Sequence, residues 1–397
     1  MERLQKLTEW LHSQFPDRPF TLAPASADAS FRRYFRISFT GRDGGTLIAM
    51  DAPPEHEDCR PFLHVAKLFE NAGAHVPHVH AQDLGLGFLL LSDLGNTTYL
   101  QALNASTAQR LYGAAADALI NIQLASKENV LPPYDEALLR RELNLFPEWY
   151  IARHLGITLD DKQSAGLEEC FRRILRNNLA QPRVYVHRDY HSRNLMYIES
   201  PHLNPLPHKT PLSNSLDETT SHSTRLQTTA AKSLVIPQAG EEANEKWGKQ
   251  AIREADARKD SFLISPGILD FQDAVYGPIT YDLASLFKDA YIHWEEADIM
   301  DWLIRYWEKA RKAGLPVRED FGEFYRDYEW MGVQRHIKVL GIFARLYHRD
   351  GKDGYLKDMP LVMSYLRAAC ERYIDLKPLL NLLDELHPQE KQVRYTF

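Results

Sequence analysis

The chain has 397 residues, 44% of them hydrophobic and 25% charged, with a formal net charge of −7; this composition suits a soluble globular protein of two domains or one bilobal unit. The acidic balance and the lack of a long basic stripe argue against nucleic acid as the main partner and favour a small molecule. Cys59, Cys170 and Cys370 are scattered with no C-x-x-C pair, Met1 to Leu7 lacks the apolar core of a secretory signal, and no run approaches the roughly 20 apolar residues of a membrane span, so a cytoplasmic protein is expected.

Leu4, Leu7 and Leu11 share one side of a helix expected over 2–15, which Pro16 and Pro19 end. The segments 34–39 and 46–51 flank a glycine-rich turn at 41–45 and predict a β-hairpin. Ahead of it, Ser26-Ala27-Asp28-Ala29-Ser30-Phe31-Arg32-Arg33 stands where a phosphate-covering loop would lie, with backbone amides and serines such as Ser30 able to face phosphate oxygens. A helix over 59–72 follows. His75, His78 and His80 then fall in a loop with Pro77, without the helical H-x-x-x-H spacing or a nearby cysteine that a metal site would use. Gly87 to Gly95 predicts a short buried strand leaving through a polar turn, an interlobe hinge whose backbone at Ser92 and Asp93 can meet adenine edges.

Helices are expected from 106, over 138–154 and over 160–177, then over 281–294, 297–313, 321–347 and 360–386, with Trp302, Trp307 and Trp330 as core aromatics. Between them, 200–261 differs in composition. Its first half is rich in Ser, Thr and Pro and too poor in large apolar groups to build a core, and its second half holds Glu242/Lys246 and Glu245/Lys249 at helical spacing. An inserted excursion is expected there, largely disordered, with one solvated helix.

The chemistry concentrates in His187-Arg188-Asp189-Tyr190-His191-Ser192-Arg193-Asn194, set between apolar runs at 183–186 and 195–198. An acid followed five residues later by an amide suits phosphotransfer, Asp189 taking a hydroxyl proton while Asn194 holds magnesium. The segment Leu269-Asp270-Phe271-Gln272-Asp273 closes an expected strand over 264–269, and Asp270 supplies the second metal ligand, since magnesium favours one or two carboxylates plus phosphate oxygens. His187 is expected to brace the loop. Arg188 and Arg193 can neutralise phosphate or an anionic substrate, or serve as scaffold ion pairs.

These motifs, with Leu89-Leu90-Leu91-Ser92-Asp93-Leu94-Gly95, resemble the aminoglycoside phosphotransferase-like kinases over nearly the whole chain outside the insertion. Asp51-Ala52-Pro53-Pro54-Glu55, His191 to Met196, and Asp270 to Ala274 with Gly277-Pro278 and Tyr281-Asp282-Leu283 look narrower still, like the anomeric amino-sugar kinases of bacterial cell-wall recycling. The resemblance implies an α+β, protein-kinase-like bilobal fold: a small β-rich nucleotide lobe over 1–95 and a larger helical catalytic and substrate lobe over 96–397. It implies ATP and Mg2+ as cofactors. The γ-phosphoryl group would pass to the C1 hydroxyl of N-acetylmuramate or N-acetylglucosamine, giving a sugar 1-phosphate for a uridylyltransferase.

Under that resemblance Asp189 is the catalytic base, Asn194 and Asp270 are the metal ligands, Ser30, Arg32, Arg33, Ser92 and Asp93 meet the nucleotide, and His191 and Arg193 meet the sugar, Arg193 suiting a lactyl carboxylate. The chain departs from the family pattern twice. Thr46 to Asp51 lacks the phosphate-binding lysine of the third strand, leaving Arg32, Arg33 or Arg36 to replace it and Glu55, Glu57 or Glu70 to pair with the replacement. Asn194 and Asp270 also lie 76 positions apart, where a short hairpin normally joins them. A kinase of another small alcohol, such as an aminoglycoside, choline or homoserine, and an inactive nucleotide-binding scaffold are the alternatives.

Overall fold

A computed structural model describes residues 2–27, 31–40, 44–198 and 265–388, so Ser30 and the 200–261 insertion lie outside the described residues. The first helix, α1 (Glu2–Gln14), buries Leu7 and Leu11 while Leu4 stays exposed. Five strands follow: β1 (Phe20–Ala27), β2 (Arg33–Phe39), β3 (Gly45–Asp51), β4 (Val79–Asp83) and β5 (Phe88–Ser92), in the antiparallel order β1-β2-β3-β5-β4. Because strand side chains alternate faces, Leu47, Ala49, Phe88 and Leu90 pack with α1 on one side. Met50, Leu89 and Leu91 instead join Phe62, Val65 and Phe69 of α2 (Cys59–Asn71) in the main core.

The sequence reading missed both outer strands. In β1, Pro24 and a register shift between Pro24 and Ser26 hide the alternation, and an edge strand tolerates both. Strand therefore takes both ends of the loop expected over 26–33, β1 running through Ala27 and β2 starting at Arg33. β4 is the other edge, short and half-buried, and places His80 in the sheet rather than a loop.

The larger part is helical: α3 (Tyr99–Ala102), α4 (Ala108–Leu124), α5 (Glu136–Leu145) and α6 (Asp161–Leu179), followed beyond the catalytic segments by α7 (Tyr281–Phe287), α8 (Glu296–Lys312), α9 (Phe321–Asp350), α10 (Met359–Arg372) and α11 (Lys377–Leu386). One expected helix changes type within its bounds, and two were too long. The helix expected over 138–154 becomes a π-helix at Phe146–His154, where Pro147 cannot supply an interior N–H. The helix expected over 281–294 stops at Phe287, and that over 360–386 breaks at Tyr373 and restarts with Pro378 in its first turn. The thirty-residue α9 runs through the core, burying Tyr328, Met331, Ile337 and Leu340. Among the described residues no helix is long and apolar enough to cross a membrane.

Candidate active site

Two short ribbons build the site. β6 (Arg183–Val186) pairs antiparallel with β9 (Val275–Pro278), and β7 (Leu195–Met196) pairs with β8 (Gly267–Ile268). The 187–194 loop joins β6 to β7 and the Asp270 turn joins β8 to β9, so the two turns meet. Leu269 N–H donates to the Asn194 carbonyl at 2.9 Å, and the Asn194 amide donates to the Asp189 carbonyl at 3.0 Å and to Asp270 Oδ2 at 3.3 Å. The long sequence interval therefore leaves Asn194 and Asp270 in contact. The strand expected over 264–269 shortens to two residues, enough to set this register.

Arg188 and Asp270 carry positive φ angles of 77° and 62°. For non-glycine residues such a backbone costs about 1–3 kcal/mol and persists only where the surroundings impose it. Around Arg188 and the rest of the 187–194 loop the surroundings include two buried acids. Asp282 accepts the His187 N–H at 2.7 Å and the Arg188 N–H at 3.0 Å, while Asp289 accepts those of Ser192 at 2.9 Å and Tyr291 at 3.1 Å. Burial, set against these backbone bonds and joined by the nearby Asp189 charge, pushes the Asp282 carboxyl up to about 7.

His187 does brace the loop. Its Nε2 donates to the Leu269 carbonyl at 3.0 Å and its Nδ1 accepts the Asp189 N–H at 3.2 Å, an arrangement only the neutral ring can make. Burial lowers its pKa to about 4. Arg188 is a scaffold ion pair, 2.6 Å from Glu142, and Lys338 shares that carboxylate at 3.0 Å.

Burial alone would raise the Asp189 carboxyl, but the positive charges around it, Lys338 first and then His191, Arg188 and Arg335, hold it below the usual range. An ionised carboxylate there can orient a hydroxyl and accept its proton. Asn194 and Asp270 offer the hard oxygen donors magnesium takes, and the described residues hold no cluster of three or more His, Cys, Asp or Glu able to form a protein cage. The chemistry of this donor pair fits a metal shared with phosphate oxygens.

A cleft of about 450 Å³ leads to these residues. Its walls include Ile48, Leu91, Ser92, Asp93, Gly95 and Met196, and its floor Asn194 and Asp270. Ser92 and Asp93 do line it, yet their side chains hold structure. Ser92 Oγ accepts the His78 N–H at 2.8 Å, and Asp93 grips Arg36 at 2.6 and 3.0 Å while accepting the Gly95 N–H at 3.0 Å.

The three candidate arginines part company. Arg33 Nε donates to Asp51 Oδ2 at 3.1 Å, sharing that buried acid with Arg3, so its guanidinium turns to the Asp51 end of the sheet rather than to the nucleotide as expected. Arg36 is bound to Asp93. Arg32 stands 3.9 Å from Asp270 and 4.0 Å from Glu57. Among the glutamates, Glu70 is occupied by His78 at 2.6 Å and Lys67 at 3.1 Å, and Glu55 is exposed. Glu57 therefore accompanies Arg32. On the other flank, Arg193 lies over the Tyr291 ring at 3.5 Å with Asp358 at 3.7 Å, and His191 is buried with its ring 5.4 Å from Tyr291.

Residues 21–203 and 255–321 match the sequence pattern of the Phosphotransferase enzyme family, APH. The chain belongs to this family. Two relatives are similar over their full length, each named N-acetylmuramate/N-acetylglucosamine kinase. The Neisseria meningitidis protein is 43% identical over 100% of both chains, and that of Pseudomonas aeruginosa is 43% identical over 97% of each. Choline kinase LicA from Streptococcus pneumoniae shares the fold at 10% identity, with a TM-score of 0.53 over 92% of this chain and 99% of its own. ADP-bound aminoglycoside phosphotransferase APH(2'')-Ib does so at 13% identity, with a TM-score of 0.51 over 91% and 97%. The fold is thus the protein-kinase-like bilobal one and the protein a phosphotransferase.

Sequence reasoning missed the supports of this phosphotransferase site. Asp282 was read only as part of a family phrase, and Asp289, Glu142 and Lys338 were not singled out. Asp282 and Lys338 did leave a faint signal, as charges among apolar helical residues where burial demands a partner, whereas Glu142 follows two arginines and Asp289 lies past the end of α7.

Proposed function

We propose that the protein transfers the γ-phosphoryl group of ATP to the C1 hydroxyl of N-acetylmuramate or N-acetylglucosamine. The observation that carries the phosphotransfer is the contact of Asn194 with both Asp189 and Asp270 at the floor of the cleft. The acceptor is carried by the full-length relatives, whose names state both sugars. The nucleotide lobe ends at Gly95 and the catalytic lobe follows, so adenine meets the backbone at Ser92 and Asp93. Asn194 and Asp270 hold magnesium, which offsets charge on the phosphates when bound. Asp189 orients the anomeric hydroxyl and takes its proton.

Arg32, 4.0 Å from Glu57 and 3.9 Å from Asp270 at the metal end of the cleft, takes the place of the missing strand lysine. The product, a sugar 1-phosphate, is what a uridylyltransferase consumes, and such chemistry belongs to peptidoglycan recycling in the cytoplasm. The test is to incubate the protein with Mg-ATP and each free sugar, alongside choline, homoserine and an aminoglycoside, and to locate the phosphate by phosphorus and proton NMR. Phosphate at C1 of either amino sugar is expected. Turnover confined to an amino alcohol, or phosphate at another hydroxyl, would replace this reading.

A further inference from the structure

The most anomalous group near the catalytic loop is Arg335 of α9. It is 4% exposed, and its Nη1 has no hydrogen-bond partner among the described residues. Its neighbours on the helix each make a bond across the core: Gln334 donates to the Leu139 carbonyl at 2.9 Å, His336 meets the Lys288 carbonyl at 3.3 Å, and Lys338 donates to Tyr281 Oη at 2.9 Å. These bonds fix the helix, so the guanidinium is held where it stands. A buried cation without an anion is costly, and such a group calls for a partner.

The acids close by are spoken for. Both Asp282 oxygens accept backbone N–H groups, as do both of Asp289, and Asp189 serves the reacting hydroxyl. The adjoining His336 meets the Lys288 carbonyl, and the next residue, Asp289, accepts the Ser192 and Tyr291 N–H groups, so this stretch of α9 packs behind the His191–Ser192 part of the loop; Arg335 is close enough there to act on Asp189 and His191. Asn194 and Asp270 border the cleft, and so phosphate, on the other side. Two more buried polar atoms on the His191 side also lack partners among the described residues, His191 Nδ1 and Ser192 Oγ. Three buried polar atoms near one base thus lack partners among the described residues, and the cation among them fits an anion on the acceptor.

We propose that Arg335 is the specificity residue for the acidic sugar, binding the lactyl carboxylate that N-acetylmuramate carries and N-acetylglucosamine lacks. The proposal rests on the amino-sugar reading above. Arg193, the sequence candidate for this role, already has Asp358 beside it and the Tyr291 ring beneath it.

The experiment compares kcat/KM for both sugars and for the carboxamide of N-acetylmuramate, in the wild-type protein, Arg335→Gln and Arg335→Lys. A charge-assisted bond to a buried carboxylate predicts that Arg335→Gln loses roughly tenfold to hundredfold more on N-acetylmuramate than on N-acetylglucosamine. The wild-type protein should show a similar loss on the carboxamide, Arg335→Gln should scarcely distinguish acid from amide, and Arg335→Lys should recover part of the preference. Equal losses on both sugars would mean a structural or phosphate-binding role and overturn the proposal. So would a carboxamide that the wild-type protein uses as well as the acid, a measurement that needs no variant to fold. If the wild-type protein phosphorylates neither sugar, the amino-sugar reading itself fails; if it phosphorylates both and these ratios do not move, only the carboxylate assignment falls.

Discussion

The sheet lobe and the catalytic loop handle buried acids in opposite ways. In the sheet, Asp51 and Asp93 take arginines: Arg3 and Arg33 on the first, Arg36 on the second. In the loop, Asp282 and Asp289 take main-chain N–H groups instead. An arginine pair ties side chain to side chain and fixes strands and hinge, whereas a carboxylate on backbone N–H groups fixes the path of the chain and leaves its side chains available. The proposed roles of Asp189 and Asn194, one meeting a hydroxyl and the other a metal, need that availability.

The sharpest way to test the division is to remove a side chain that the loop presents. Asp189→Ala is expected to lower kcat by about a hundredfold to ten-thousandfold, the range of a general base, while titration calorimetry finds ATP affinity nearly unchanged. Near-normal turnover would remove Asp189 from the chemistry. Next in size is a support. Asp282→Ala strips two buried N–H groups of their acceptor, at about 1–3 kcal/mol for each, so denaturant unfolding should show a loss of that order. Turnover should fall with it, because the positive φ at Arg188 loses its anchor. A variant as stable and active as the parent would show that the loop holds its shape without Asp282.

The arginines offer a finer contrast within the sheet. Arg32→Ala should raise the KM for ATP and lower kcat, because that guanidinium stands 3.9 Å from Asp270. Arg33→Ala should leave both parameters near normal and cost at most about 1 kcal/mol of stability, as its side chain is half-exposed and Asp51 keeps Arg3. Reversed kinetics for the two variants would move the phosphate contact to Arg33.

The same contrast explains what the sequence made legible. Asp189, Asn194 and Asp270 stand out because their spacing between apolar runs is itself the signal, and the ribbon pairing of Leu195 with Ile268 needs no knowledge of the residues between. The central strands were legible because β3 and β5 are largely buried apolar runs and β2 alternates Phe35, Ile37 and Phe39 with polar residues. The edge strands β1 and β4 were not, since proline and half-exposure erase the alternation. Arg32, Arg33 and Arg36 looked equivalent in sequence; only the positions of Glu57, Asp51 and Asp93 separate them, and those contacts are long-range. Asp282 and Arg335 were hidden for a similar reason, as a charge inside a helix announces burial but not what lies across from it.

The smallest expected effect concerns pH and the bond that joins the two acid turns. His187 is neutral and buried, with a pKa near 4 in the folded chain against an ordinary 6.5. Below about pH 6.5 the unfolded chain binds a proton that the folded one refuses, so stability is full above that value and falls as pH drops toward 4. Other buried histidines, His191 and His336 among them, shift the same way and add to the slope. The informative quantity is therefore the difference between the wild-type protein and His187→Gln, whose amide can still reach the Leu269 carbonyl but cannot be protonated. Measured as thermal midpoints between pH 7.5 and 4.5, the advantage of the wild-type protein should narrow as pH falls, while parallel curves would mean that His187 is protonated in both states or in neither. A narrowing gap would also show that the loop and the Asp270 turn are joined through a neutral ring, His187 Nε2 donating to the Leu269 carbonyl.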